Sequence, residues 1–125
     1  MEHQHICQIR DLINAIATFE DTFAEQHGLN IHEAMLLCIL LENSPLTGSD
    51  IANLLGFKTS HSSKIIRKAE NSGWIIRAFG DIDRRQVFFS LSPKGQQKIK
   101  ELKMADIELP ALLKQCINAD STTSE

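Results

Sequence analysis

The sequence has few of the features that would place it in a special class of protein. Its 125 residues include three cysteines, three prolines and no tyrosine. The cysteines, Cys7, Cys38 and Cys116, are far apart and form no CxxC pair, which argues against a disulfide framework and favours a reducing compartment. The longest apolar run, AMLLCILL, is too short to span a membrane. Because the N-terminus also lacks the layout of a signal peptide, we expect a cytoplasmic chain with no membrane partner.

Patterns of catalysis and metal binding are also scarce. No nucleophile–base–acid set, phosphate-binding loop or catalytic carboxylate pair occurs, which indicates that the protein is not an enzyme. The segment HQHIC at 3–7 suggests a metal site. However, residues two apart on a helix point away from each other, so we expect neither a metal nor a cofactor.

Positive charge is nearly absent from both ends of the chain. Residues 1–46 hold one basic residue against seven acidic ones, and residues 104–125 hold one against four. Residues 47–103 hold eleven basic residues against five acidic ones, a net charge of +6. This segregation favours a polyanionic partner for the middle of the chain only, although a solvated lysine-rich surface would give the same charge count.

The first segment predicts a helix from about residue 5 to Gly28, with its apolar residues at spacings of 3, 4, 3 and 4. These residues are Ile9, Leu12, Ile16, Phe19 and Phe23. The seam could pack within its own subunit, but Ile6 and Ile13 make the stripe wider than one small domain needs. The pattern therefore favours a dimer interface.

The next segments predict three helices in close succession. Asn30 and Glu33 suggest the start of a buried helix over 31–43. Thr47 and Asp50 form a capping-box pattern for a short helix, with Ile51, Leu54 and Leu55 facing inward and Gly56 as its C-cap. A further helix is predicted from about Ser60 to Ser72. A short helix, a tight turn and a second helix outline a helix-turn-helix.

The helix over 60–72 has two chemically different sides. Helical spacing places Ser62, Ile65, Ile66 and Ala69 on one side, facing the core. The other side carries Ser60, Ser63, Lys64, Arg67, Lys68 and Asn71. Hydroxyls, an amide and three cations on one exposed face can reach both base edges and phosphates, so we expect nucleic-acid contact there.

Two strands, 74–79 and 86–91, follow, and GDIDRR joins them as a hairpin loop. Ser92 then caps a helix with Pro93 at its first position. Pro110 is expected to break or restart this helix, and residues 119–125 are expected to be a disordered tail.

Over about residues 29–100 this order of parts resembles the MarR family of winged helix-turn-helix transcription regulators. The resemblance rests on "LTGSDIANLLGFKTSHSSKIIRKAENSGWIIR" and "DIDRRQVFFSLSPKG". It implies a mainly α fold with a small β-hairpin wing, formed as one domain over 1–118. The DNA-binding core would be 47–92, the wing 74–91, and the dimerisation helices 5–28 and 93–118. It adds Leu109, Leu112 and Leu113 to the expected dimer interface.

The resemblance also implies roles for individual residues. The helix near Ser60 would be the recognition helix in the major groove of double-stranded DNA, with Lys64 reading bases. Arg85 would enter the minor groove, where a thin loop fits a narrow groove of concentrated negative potential. Asp83 would hold the neighbouring arginine. The expected DNA-contacting residues are Ser49, Lys58, Thr59, Ser60, His61, Ser63, Lys64, Arg67, Lys68, Arg77, Arg84 and Arg85. A homodimeric repressor of a short palindromic operator follows, with a small-molecule effector near the junction of the dimerisation and DNA-binding parts.

The chain departs from the family pattern in three ways. Gly80 stands where the family often has an aspartate, the chain beyond Gly95 is short, and tyrosine is absent. Cys7, with Cys116, lies near where the family's peroxide sensors keep reactive cysteines, but those sensors use tyrosines. A peroxide-sensing regulator and a winged-helix protein-interaction module without DNA binding are therefore the alternative functions.

Overall fold

The structure is a computed structural model, and it describes residues 3–121. The helices are α1 (His3–His27), α2 (Ile31–Glu42), α3 (Gly48–Leu55), α4 (Thr59–Asn71), α5 (Pro93–Met104) and α6 (Ala111–Ser121). The strands are β1 (Leu46–Thr47), β2 (Ile75–Phe79) and β3 (Val87–Leu91). The mainly helical fold with a small antiparallel sheet confirms the predicted fold class. Among the described residues, no helix has the length and apolar character needed to cross a membrane.

The chain divides into two compact units. In the described residues, the first consists of residues 3–30 and 106–121, where α1 contacts α6. Phe23 is buried and its ring lies 5.7 Å from that of Phe19. By contrast, four isoleucines along α1 remain 40–60% exposed: Ile6, Ile9, Ile13 and Ile16. The first unit therefore carries an apolar row that the single chain does not cover.

The second unit, residues 31–105, contains the helix-turn-helix and the sheet. Its centre is α2, where Leu36, Leu37 and Leu40 are at most 1% exposed. Helices α3, α4 and α5 and strand β3 all contact α2. This unit is larger than the predicted core of 47–92 because α2 and α5 supply part of its apolar packing.

Local chemistry explains why α3 and α5 begin where they do. The predicted capping box is present, since the Thr47 hydroxyl accepts from the Asp50 N–H and the Asp50 carboxylate accepts from the Thr47 N–H. Gly56 ends α3 with a φ of 75°. Ser92 caps α5, with Pro93 as its first residue.

The structure contains a third strand that the sequence did not predict. Strand β1 pairs antiparallel with β3, with Leu46 opposite Phe89 and Thr47 opposite Phe88, and gives the order β1-β3-β2. With only two residues, β1 is too short for an alternating pattern to show. It ties the start of α3 to the hairpin of β2 and β3.

Several expected positions are corrected. Leu54 was expected to face inward but is 53% exposed, because Ile51, Ala52 and Leu55 fill the buried side of the short α3. The helix after Ser92 ends at Met104, earlier than Pro110, and the predicted restart at Pro110 is confirmed because α6 begins at Ala111. The region 93–118 is therefore two helices in different units, and Leu109 lies in the connection between them. Helix α6 continues to Ser121, past the expected end at 118, and residues 122–125 of the expected tail lie outside the described residues.

The start of α5 is held against the turn before β2. The Ser92 hydroxyl donates to the Gly73 carbonyl at 2.6 Å, and the Ser92 N–H donates to the Trp74 carbonyl at 3.0 Å. Gly95 lies so close to Trp74 that an added Cβ would overlap the Trp74 carbonyl oxygen. Glycine is required at this contact by space rather than by backbone angle.

We predict that Gly95→Ala destabilises the second unit by about 1–3 kcal/mol, since the added methyl group forces α5 away from Trp74. Gly48→Ala is the matched control, because an added Cβ at Gly48 meets nothing within 4 Å. Urea unfolding followed through Trp74, the single tryptophan, measures both variants. Equal stability of the two variants would show that the contact at Gly95 is not tight.

Candidate nucleic-acid interface

Helix α4 presents the two sides that its sequence predicts. Ser62, Ile65, Ile66 and Ala69 are all buried, which confirms the predicted inner side. Ser60, Ser63, Lys64, Arg67 and Asn71 are exposed on the outer side. The helix begins at Thr59, and Lys58 before it provides no side-chain cap. The first N–H groups of a helix have no partner within it, so the start of α4, with the hydroxyls of Thr59 and Ser60 next to Lys58, is suited to phosphate oxygens.

Two expected DNA contacts on α4 have partners within the protein. The Lys68 ammonium lies 3.8 Å from a carboxylate oxygen of Glu33, which is buried on α2. The His61 ring lies 4.4 Å from the Phe57 ring and 5.3 Å from the His32 ring. No local sequence pattern relates His32 to His61, so the sequence carried no signal for this cluster. Both residues are exposed enough to contact DNA as well, since His61 is exposed and the Lys68 side chain is 63% exposed.

The loop between β2 and β3 is a compact wing tip. The Gly80 N–H donates to the Gln86 carbonyl at 3.0 Å, and the Gln86 N–H donates to the Asp83 carbonyl at 3.1 Å. An added Cβ at Gly80 would come within 2.6 Å of that Asp83 carbonyl oxygen. This close approach accounts for a glycine where the MarR family often has an aspartate.

Asp83 organises Arg85, as the resemblance implied. One Asp83 carboxylate oxygen accepts from the Arg85 N–H at 3.0 Å and from its Nε at 3.1 Å. These hydrogen bonds, the backbone one first, lower the pKa of Asp83. The ion pair is therefore complete at neutral pH and is lost only as the pH falls through that lowered pKa. The Arg85 side chain remains 92% exposed, so its guanidinium is oriented and still available to a ligand.

A concave surface of about 510 Å³ lies between the helix-turn-helix and the wing. It brings together five expected DNA-contacting residues: Ser49, Thr59, Ser63, Arg77 and Arg85. Its other lining residues were not expected from the sequence: Thr47, Gly48, Gln86, Val87 and Phe89. Most of these belong to β1, the first turn of α3 and β3, whose closeness depends on the unpredicted β1–β3 pairing.

The remaining expected residues lie around this surface. Lys64 is exposed on α4, and Lys58, Ser60 and His61 are exposed at or beside its first turn. Arg67 lines a second depression with Ser63 and Arg77. Arg84 lines a third depression at the wing with Phe79, Gly80 and Asp81.

Arg77 is held more firmly than a free phosphate-binding arginine would be. Its Nε and Nη2 donate to the two carboxylate oxygens of Glu70 at 2.7 and 2.6 Å. The hydrogen bonds to Glu70 and its negative charge raise the pKa of Arg77. The guanidinium also lies over the Phe89 ring, 5.5 Å from its centroid. Arg77 was expected as a DNA contact, and no sequence pattern predicted its pairing with Glu70.

The cysteines lie in separate environments. Cys7 is half-buried with its Sγ 3.7 Å from the Nε2 of His3, while Cys116 is exposed. This spacing of four residues places His3 and Cys7 on one side of α1. It is the signal that the expectation of no His/Cys pair with ligand spacing missed. No group of three or more potential metal ligands among His, Cys, Asp and Glu lies together within residues 3–121. Burial, followed by the charge of Glu42, raises the pKa of Cys38 on α2.

A helix-turn-helix with a polar outer face on its second helix, followed directly by a β-hairpin with an oriented arginine, defines a winged helix-turn-helix regulator. Residues 18–102 match the family described as Transcriptional regulator SarA/Rot. The chain belongs to this family. The resemblance to MarR-type regulators is confirmed.

Individual relatives agree with this assignment. The transcriptional repressor MprA of Escherichia coli (strain K12) is 28% identical over 76 residues, which cover 58% of this chain and 43% of MprA. The chain thus spans less than half the length of MprA in this match. The structure of reduced AbfR bound to DNA has a TM-score of 0.73 at 22% identity, covering 96% of this chain and 88% of that one. AbsC, a MarR family regulator from Streptomyces coelicolor, has a TM-score of 0.68 at 19% identity, covering 95% and 90%.

Proposed function

We propose that this transcriptional regulator acts as a repressor that binds a short palindromic site on double-stranded DNA as a homodimer. The observation that carries the proposal is the concave surface between α4 and the wing, which joins helix hydroxyls to the oriented Arg85. Repression is the activity named for MprA, and DNA is the partner named for AbfR. Cytoplasmic location and the small-molecule effector stay predictions.

Helix α4 is proposed to lie in the major groove. Its outer face offers Lys64 and Arg67 at a spacing of three residues, so both can meet the same groove. Lysine and arginine side chains pair with guanine O6 and N7, whereas serine hydroxyls serve either bases or phosphates. Thr59 and Ser60 in the first turn suit the flanking phosphates. Lys64 is therefore the proposed base-reading residue.

The wing is proposed to enter the adjacent minor groove through Arg85. Asp83 already holds the Arg85 backbone and side chain, so binding orders fewer side-chain rotamers. A guanidinium can enter the minor groove because its charge, rather than a base pattern, is attracted there. Arg84 beside it is proposed to contact phosphate.

The dimer is proposed to form through the first unit. The exposed row on α1 and the exposed Leu112 and Ile117 on α6 form apolar surface in one compact unit. Isoleucines exposed in such a row are typical of a protein interface. Phe23 does not belong to this exposed surface because it is only 3% exposed within the single chain. Ile9, Leu12, Ile16 and Phe19, with Leu109, Leu112 and Leu113, remain the proposed contacts.

Substitutions in the recognition helix and in the wing should change DNA binding in different ways. Lys64→Ala should cost about 1–3 kcal/mol on the preferred site and broaden its sequence preference, because a base contact is lost. Arg85→Ala should weaken all duplexes by a similar factor and reduce the salt dependence by about one unit of slope per half-site. Salt titrations of both variants on a selected and a scrambled duplex measure this. The minor-groove role is wrong if Arg85→Ala binds both duplexes as tightly as the wild type at every salt concentration.

The dimer proposal predicts that Ile9→Glu combined with Ile16→Glu gives a monomer, because two charges would have to be buried in the interface. Both side chains are exposed in the single chain, at 44% and 40%, so the subunit itself should stay folded. Asn14→Glu with Thr18→Glu adds the same charge on the opposite side of α1 and should remain a dimer. Light scattering at micromolar concentration distinguishes the two. A monomeric wild type would refute the dimer and binding to two half-sites.

A further inference from the structure

The pair formed by Glu70 and Arg77 joins the recognition helix to the wing. Glu70 is in the last turn of α4, and Arg77 is in the middle of β2. Two short hydrogen bonds connect the carboxylate to the guanidinium in a planar fork. Arg77 is also opposite Phe89 of β3 in the strand register. Its guanidinium lies over the face of the Phe89 ring, so it contacts both strands of the wing.

The hydrogen bonds between Glu70 and Arg77 connect the two ends of the segment that links α4 to β2. The backbone leaves α4 through a turn in which the Gly73 N–H donates to the Glu70 carbonyl at 2.9 Å and the Trp74 N–H donates to the Ala69 carbonyl at 3.0 Å. The side-chain fork then ties residue 77 back to residue 70, beyond that turn. The angle at which β2 leaves α4 is thus fixed by backbone and side-chain contacts together.

This angle matters at the wing tip. Gly80 lies three residues beyond Arg77, about 10 Å along an extended strand. A change in the direction of β2 at Arg77 is therefore amplified along the strand and displaces Arg85 at the wing tip. Arg77 and Phe89 also line both the main concave surface and the depression beside Arg67, so they lie on the side of the wing that faces α4.

The charge of Arg77 argues against a simple phosphate contact. Its guanidinium is already compensated by Glu70, whose side chain is only 21% exposed. A phosphate would have to compete with a carboxylate held in bidentate geometry. Arg85, in contrast, is 92% exposed and is paired with a carboxylate that is itself 42% exposed.

We propose that Arg77 is a positioning residue: its fork with Glu70 sets the distance between recognition helix and wing, so that Lys64 and Arg85 engage one DNA half-site together. This inference rests on the proposed function, because it presumes that α4 and the wing both contact DNA. It replaces the expected direct contact between Arg77 and DNA.

The decisive variant is Glu70→Gln, for which the two roles of Arg77 predict opposite signs. A positioning role predicts weaker binding to the selected duplex by about fivefold, with a scrambled duplex changed by less than about twofold. A phosphate contact predicts unchanged or tighter binding, because the substitution removes a negative charge and frees Arg77. Glu101→Gln on α5 removes the same charge away from the fork and should leave both affinities as in the wild type.

Two further variants test the geometry. Arg77→Lys keeps the charge but cannot form the fork, and it should lose the preference for the selected duplex as Glu70→Gln does. Exchanging the partners, Glu70→Arg with Arg77→Glu, keeps the net charge and restores a pair, so affinity should return to within about twofold of the wild type. Trp74 emission on urea unfolding shows whether each variant is folded.

Electrophoretic mobility shift titrations of the full-length dimer on the two duplexes provide the affinities. Unchanged or tighter binding of the selected duplex by Glu70→Gln would overturn the positioning role while leaving the proposed function intact. The same holds if Glu101→Gln weakens binding equally, since net charge would then explain the loss. A wild type that binds neither duplex would overturn the proposed function and this inference with it. If Glu70→Gln is unfolded, the comparison of Arg77→Lys with the exchanged pair decides.

Discussion

The burial of one side of α4 is the constraint on which the interface depends. Ile65, Ile66 and Ala69 are at most 6% exposed, and covering each isoleucine contributes about 1.5–3 kcal/mol. This burial fixes the rotation of the helix about its axis. A slip of one residue would turn the helix by about 100° and direct Lys64 toward the core. The polar outer face is therefore held outward by the apolar inner one.

The wing depends on that helix in turn. Its strands are connected to α4 by a turn of a few residues, and to α3 by the β1–β3 pairing. Acidic side chains hold several cations of the basic middle segment in place: Asp83 holds Arg85, Glu70 holds Arg77 and Glu33 holds Lys68. Net charge thus indicates which part of the chain would attract a polyanion. The three carboxylates determine which of its cations are paired within the protein and how those cations are oriented.

Periodicity and capping were sufficient to predict the helices from the sequence, because those signals are local. The inner side of α4, the capping box at Thr47 and the start of α5 at Pro93 are examples. Contacts between distant segments were not predictable in this way. Strand β1 is too short to show alternation, and α3 is too short for its apolar pattern to predict which way Leu54 faces. The contacts of His61 with His32 and of Arg77 with Glu70 form only when α2, α4 and β2 pack together.

We propose that α4 and the wing of one subunit occupy neighbouring major and minor grooves. Dimethyl sulfate footprinting tests this placement directly. The reagent methylates guanine N7 in the major groove, where α4 would cover it, and adenine N3 in the minor groove, where the wing would cover it. We expect the wild type to protect both kinds of site in each half-site, and Arg85→Ala to lose only the adenine N3 protection. Full adenine N3 methylation with the wild type bound, or protection unchanged in Arg85→Ala, would contradict it.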